Sequence, residues 1–65
     1  MSDIQTFVVS YRRYEDSPCC TNLVHARHFA NIDREFKDCA WYFPRVAKDY
    51  EVEAFRARGM PERWC

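Results

Sequence analysis

Apolar and polar positions divide this chain into three patterned blocks, with a turn-rich stretch after the first. From Ile4 to Arg12, IQTFVVSYR, Phe7, Val9 and Tyr11 alternate with Thr6, Val8 and Ser10, and the β-branched and aromatic content is that of a strand. Tyr14 to Cys20, YEDSPCC, reads as a turn, because Pro18 drives Ser17 out of the α region. The densest pattern runs from His28 to Phe43, HFANIDREFKDCAWYF. There Phe29, Ile32, Phe36, Cys39, Ala40 and Phe43 recur at the three- and four-residue spacing of one helix face, and Asp33, Arg34, Glu35, Lys37 and Asp38 fill the rest. Leu23, Ala26 and Ala30 extend the spacing backwards, and Thr21 or Asn22 offers a capping oxygen. The spacing therefore predicts one helix from Asn22 to Tyr42, continuous or broken near Asn31, itself an acceptable N-cap. The competing assignment makes residues 21–28 a strand hairpinned to the first. Alternation of Leu23, His25 and Arg27 against Val24, Ala26 and His28 supports it less well.

Pro44 ends the helix or restarts it, since it lacks an amide hydrogen and crowds the preceding turn. Val46 to Arg58 is ambiguous. Ala47, Tyr50, Ala54 and Ala57 fit a helix stopped by Gly59 and Pro61, yet Tyr50 to Ala54 also alternates like a half-buried strand. The first strand needs a partner for its backbone groups. With residues 22–42 helical, consistency assigns Tyr50 to Arg56 to the second strand, and the tail MPERWC folds Trp64 back onto the core. The expected fold is α+β, a single compact domain over residues 1–65 with a central amphipathic helix packed on a short antiparallel sheet. The alternative is an N-terminal β-hairpin followed by two helices. In the first arrangement Phe36 and Phe43, seven residues apart, share the buried stripe with Phe29 and Ile32, while Trp41 sits at its margin.

Composition adds a constraint. A chain of 65 residues is near the lower size at which hydrophobic burial alone sustains a fold. Aromatic mass is the substitute here: five Phe, four Tyr and two Trp make 17% of the chain, and each ring removes about 150–250 Å² from water when buried. Ten Lys and Arg balance ten Asp and Glu, so electrostatic recognition must come from local patches and not from the field of the whole molecule. The N-terminal MSDIQTFVV has neither a basic region nor a long apolar core, and no run approaches the roughly 18 apolar residues of a membrane span. A cytoplasmic location is expected, with no membrane partner, and with Cys19, Cys20, Cys39 and Cys65 as reduced thiols.

Candidate chemistry is sparse. Cys19, Cys20, His25 and His28 gather four metal-ligand types within ten residues, but adjacent cysteines with that gap match none of the usual zinc-finger spacings, and Cys39 and Cys65 are distant. No metal and no cofactor is assigned, and a zinc-stapled regulatory or nucleic-acid-binding module stands as the alternative function. The chain has no nucleophile elbow and no Gly-rich phosphate loop, so no catalytic residue is assigned and the reading is non-enzymatic. Tyr11, Arg12, Arg13 and Tyr14 place basic and aromatic groups together as single-strand binders do, although Glu15 and Asp16 follow at once and cancel much of that field, so no direct nucleic-acid partner is assigned. The acidic residues Asp33, Glu35, Asp38, Asp49, Glu51 and Glu53 are the candidate partner-binding set; the plainer reading is that they wet two element faces and pair with Arg34, Lys37 and Lys48.

Taken whole, from MSDIQTFVVSYRRYEDS through HARHFANIDREF to FRARGMPERWC, the chain resembles the small anti-CRISPR proteins with which phages and mobile elements inhibit type I, Cascade-based systems. The resemblance is of the whole chain and carries no signature motif, so it transfers no residue roles. It implies a compact, stoichiometric, monomeric inhibitor in the host cytoplasm that binds a Cas subunit of the surveillance complex and blocks target DNA binding. Such proteins imitate the phosphate charge of DNA or occlude a Cas surface; neutral net charge departs from a strongly acidic mimic.

Overall fold

The computed structural model describes residues 3–65, and its organising element is the N-terminal strand β1 (Gln5–Arg12). β1 is paired on both edges. On one side it forms an antiparallel hairpin with β2 (Cys20–Ala26), in register from Gln5 opposite Ala26 to Tyr11 opposite Cys20. On the other it pairs antiparallel with β3 (Trp41–Val46), from Phe7 opposite Val46 to Arg12 opposite Trp41. A short β4 (Glu62–Trp64) adds in parallel to β2, giving a four-stranded sheet in the order β3-β1-β2-β4. Helix α1 (Phe29–Phe36) connects β2 to β3, and helix α2 (Asp49–Ala57) connects β3 to β4. The class is α+β.

Side-chain alternation sends each strand to two cores. Phe7, Val9, Val24 and Ala26 point to one face and bury Ile32 and Phe36 of α1, with Tyr11, Tyr42 and Cys39 packed at the margin. Val8 and Leu23 point to the other face and bury Ala47 and Val52, with Phe55 and Met60 beside them. One helix therefore covers each face of the sheet. Both helices begin the same way: the third residue reaches back to the amide preceding the first turn, His28 N–H donating to Asn31 Oδ1 at 3.2 Å and Lys48 N–H to Glu51 Oε1 at 3.2 Å. Helix α2 stops at Gly59, whose φ of 81° permits Met60 N–H to donate to the Phe55 carbonyl at 3.1 Å and Gly59 N–H to the Arg56 carbonyl at 2.9 Å.

These ranges revise the expected ones. Residues 20–26 are a strand and not helix, so the hairpin alternative is correct there; Asn31 sits in the first turn of α1 and is not its cap. The alternation of β2 is weak because it is an interior strand covered on both faces, with Leu23, Val24, His25 and Ala26 all buried. The predicted long helix ends at Phe36, after which Cys39 and Ala40 lie in a turn and residues 41–46 form β3. Residues 50–56, expected as the second strand, are helical, because β2 and β3 already satisfy both edges of β1. Pro44 lies within β3. Ala47 N–H donates to the Thr6 carbonyl at 2.9 Å, which sets the phase of the ladder and puts the missing amide of Pro44 on the outer side, where an edge strand tolerates it.

Phe36 and Phe43 accordingly separate in fate: Phe36 is 1% exposed against Tyr11 and Tyr42, whereas Phe43 is 69% exposed. Phe36→Ala should cost about 3–5 kcal/mol, comparable to the whole stability of a domain this size, and should leave a largely unfolded circular dichroism spectrum. Phe43→Ala should shift stability by no more than about 0.5 kcal/mol, measured by urea denaturation.

Candidate interaction surface

The six acidic residues singled out from the sequence do not form one surface. Asp33, Glu35 and Asp38 belong to α1 and the turn after it, whereas Asp49, Glu51 and Glu53 belong to α2 on the other side of the sheet. Three of them are engaged within the chain. Asp33 accepts the Tyr42 hydroxyl at 2.8 Å, and this hydrogen bond raises the phenol pKa above its usual value. Glu35 is bridged to Arg63 at 2.6 Å, and Glu51 holds Arg45 through both carboxylate oxygens at 3.2 and 2.7 Å. The Arg45 guanidinium and then the Lys48 amide pull the Glu51 carboxyl from 4.5 to about 2. Asp38 and Asp49 form no side-chain hydrogen bond or ion pair among the described residues, and Glu53 acts on the Arg56 guanidinium through its charge alone.

The cysteine–histidine cluster is also dispersed. Cys20 opens β2 and His25 lies five residues further along it, about 16 Å at strand rise, while ligands of one zinc ion lie only about 4 Å apart. His25 is instead a buried structural residue, 6% exposed, stacked on Trp64 with ring centroids 4.5 Å apart. Its Nδ1 meets Thr6 Oγ1 at 3.1 Å and its Nε2 meets Glu62 Oε1 at 2.8 Å. Glu62 also accepts two bonds from Arg56, at 3.0 and 2.9 Å, and that guanidinium, with His25 second, pulls its carboxyl from 4.5 to about 2. The network fastens β4 to β2 and to the last turn of α2. The basic-aromatic group at the end of β1 splits as well: Tyr11 turns inward onto Phe36 with centroids 5.0 Å apart, and Arg12 points to the opposite face.

A surface that sequence reasoning missed lies on that opposite face. Trp41, Phe43 and Arg45 alternate onto it from β3, opposite Arg12, Ser10 and Val8 of β1. Helix α2 crosses it obliquely, from the β3 side, where Glu51 grips Arg45, to the β2 side, where Arg56 grips Glu62. At the end of the sheet bearing Arg12, Ser10, Trp41 and Phe43, Phe43 is exposed and the other three are half-buried. The Trp41 and Phe43 rings touch with centroids 5.3 Å apart, and the Arg12 guanidinium lies 5.8 Å from the Trp41 ring while donating to the Glu15 carbonyl at 3.0 Å. Ser10 and Thr21 hydroxyls, 3.5 Å apart, continue the surface across β1 to β2. Reading Pro44 as an edge-strand residue, with Trp41, Phe43 and Arg45 alternating against Tyr42, Pro44 and Val46, was the sequence signal for this corner.

No family model, no curated protein and no solved structure matches this chain. Among the described residues no helix is long and apolar enough to cross a membrane.

The two depressed carboxylates fix the acid response. In the unfolded chain Glu51 and Glu62 protonate near 4.5, whereas in the folded chain they resist protonation down to about 2. Their stabilising contribution is therefore fully present above about 4.5 and is lost as pH falls towards about 2. Urea midpoints should be flat from neutral pH to that upper limit and fall below it. Glu51→Gln/Glu62→Gln should start from a lower neutral midpoint and decline less on acidification.

Proposed function

We propose that this protein is a non-enzymatic, monomeric inhibitor that binds a CRISPR–Cas surveillance complex of type I stoichiometrically and blocks its engagement of target DNA, by occluding a protein surface and not by mimicking DNA charge. The class of partner comes from the whole-chain resemblance. The mode rests on one observation, the corner of the sheet where Trp41 and a 69% exposed Phe43 lie in contact beside Arg12. Tryptophan, aromatic rings and arginine are the side chains that dominate protein–protein binding energy when a partner closes over them and excludes water. A 65-residue domain with a small core gains nothing in stability from leaving a phenylalanine in solvent, so the exposure of Phe43 supports a binding role.

Charge argues in the same direction. The candidate acidic set is divided between the two faces of the sheet, and Glu35 and Glu51 are neutralised by Arg63 and Arg45. What remains without a hydrogen bond or ion pair among the described residues, Asp49 on α2 and Asp38 after α1, with Glu53 facing the Arg56 charge, is too sparse to reproduce the closely spaced phosphates of a DNA strand. Binding through an aromatic corner flanked by one arginine depends less on salt than a phosphate mimic, which weakens steeply as salt rises.

Tagged protein should retain a multi-subunit complex from lysate of a host bearing a type I CRISPR system. Phe43→Ala should weaken that binding at least about thirtyfold, the loss expected of a binding hot spot, with an unchanged circular dichroism spectrum. Asp49→Lys/Glu53→Lys should bind within about threefold of the parent, the scale of an exposed rim charge. The opposite pattern, in which charge reversal abolishes binding and Phe43→Ala is silent, would return the acidic surface to first place.

A further inference from the structure

The face of the sheet that α1 covers carries a cleft of about 300 Å³, at the lower end of the size range of small-molecule sites. Its floor is the half-buried Tyr11 ring, backed by the 1% exposed Phe36 with centroids 5.0 Å apart, beside the half-buried Cys39. Tyr14, 63% exposed, stands over one side. Four charges ring the mouth. Glu35 and Arg63 neutralise each other at 2.6 Å, and the Arg63 guanidinium also lies over the Phe36 ring, 5.3 Å from its centre. The other two, Arg13 and Asp38, line the same cleft without closing into an ion pair with each other, and neither side chain has a partner among the described residues.

We propose that this cleft binds a small zwitterion with an aromatic body, the chemistry of an aromatic α-amino acid. Its carboxylate meets Arg13, its ammonium meets Asp38, and its ring packs on the half-buried Tyr11 ring beside Tyr14. The balance of the rim selects the class. A plain anion drawn to Arg13 meets Asp38 and Glu35, and a plain cation drawn to Asp38 meets Arg13 and Arg63. A ligand carrying both charges satisfies the two unpaired groups at once, and guanidinium gives the carboxylate a two-point contact that fixes its orientation. Stacking on the floor adds apolar burial that an aliphatic zwitterion of the same charge lacks. The cleft is on the opposite face from the Trp41–Phe43 corner and the inference does not depend on the inhibitor reading.

The test is titration of the full chain, labelled with ¹⁵N, with L-phenylalanine, phenethylamine and 3-phenylpropionate, read by amide shifts. The zwitterion should produce saturable shifts confined to residues 11–14, 35–39 and 63, with half-saturation at about 1 mM, ordinary for a ligand of this size in an open cleft. The two singly charged analogues should bind at least about tenfold more weakly, one lost charge contact each. Arg13→Gln and Asp38→Asn should each weaken L-phenylalanine by a similar factor with otherwise parental spectra, and Phe43→Ala should leave its binding unchanged. Absence of saturable shifts overturns the proposal, as does equal binding of the three compounds, which would mark the cleft as an apolar crevice without charge selection.

Discussion

Burial of the β1–β2 hairpin on both faces is the constraint from which the rest of this structure follows. Phe7 and Val9 need one cover, Val8 and Leu23 another, and 65 residues must supply both. Each cover is therefore short, eight residues for α1 and nine for α2, and each inserts few side chains: Ile32 and Phe36 on one side, Val52 on the other. Helices of this length are not stable alone, and here they are held by docking and by end contacts. Glu51 joins the N-terminus of α2 to β3, Glu62 joins its C-terminal turn to β2 and β4, and Arg63 joins β4 to α1. The even balance of charge thus reflects local pairing as well as solvation. Ion pairs that are exposed to water contribute little singly, but these three fall at element ends, where they limit fraying of covers that have little apolar area of their own.

Double-sided burial also explains which elements were legible in the sequence. β1 is buried on both faces too, at Phe7, Val8 and Val9, but was evident from its β-branched and aromatic content, as was the α+β class. β2 was not, because burial on both faces removes the polar half of the alternation, and Leu23, Ala26, Phe29 and Ala30 then coincide with a helical period by accident of sequence. The apparent stripe from Phe29 to Phe43 is two structures read as one: a helix whose buried pair is Ile32 and Phe36, and an edge strand whose aromatic residues obey a period of two. Pro44 was read as a helix stop when it marks the outer strand. Residues 50–56 were given to the sheet to satisfy β1, a sound demand assigned to the wrong segment once β2 had been taken as helix.

The same error hid the candidate site. Trp41 and Phe43 look divergent on a helix and adjacent on a strand, and only the strand brings them beside Arg12, 29 positions before Trp41 in the chain and directly opposite it in the sheet. The acidic residues were visible in the sequence, but their grouping was not, since a helix-by-helix reading cannot tell that α1 and α2 lie on opposite sides of the sheet. Likewise His25 was legible as a candidate ligand from its neighbours, whereas its contacts, Thr6 before it and Glu62 and Trp64 after it, come from strands distant in sequence.

The placement of β4 bears on how the molecule is made. Its pairing with β2 joins Leu23 to Glu62 and His25 to Trp64, residues far apart in the chain, and Leu23 and Cys65 amides donate to the Pro61 and His25 carbonyls there. During synthesis the hairpin and α1 can form as soon as they leave the ribosome, but the open edge of β2 stays unprotected until β4 has also emerged. Chains halted before Glu62 therefore expose an apolar interior strand to whatever chaperone or neighbouring chain reaches it first.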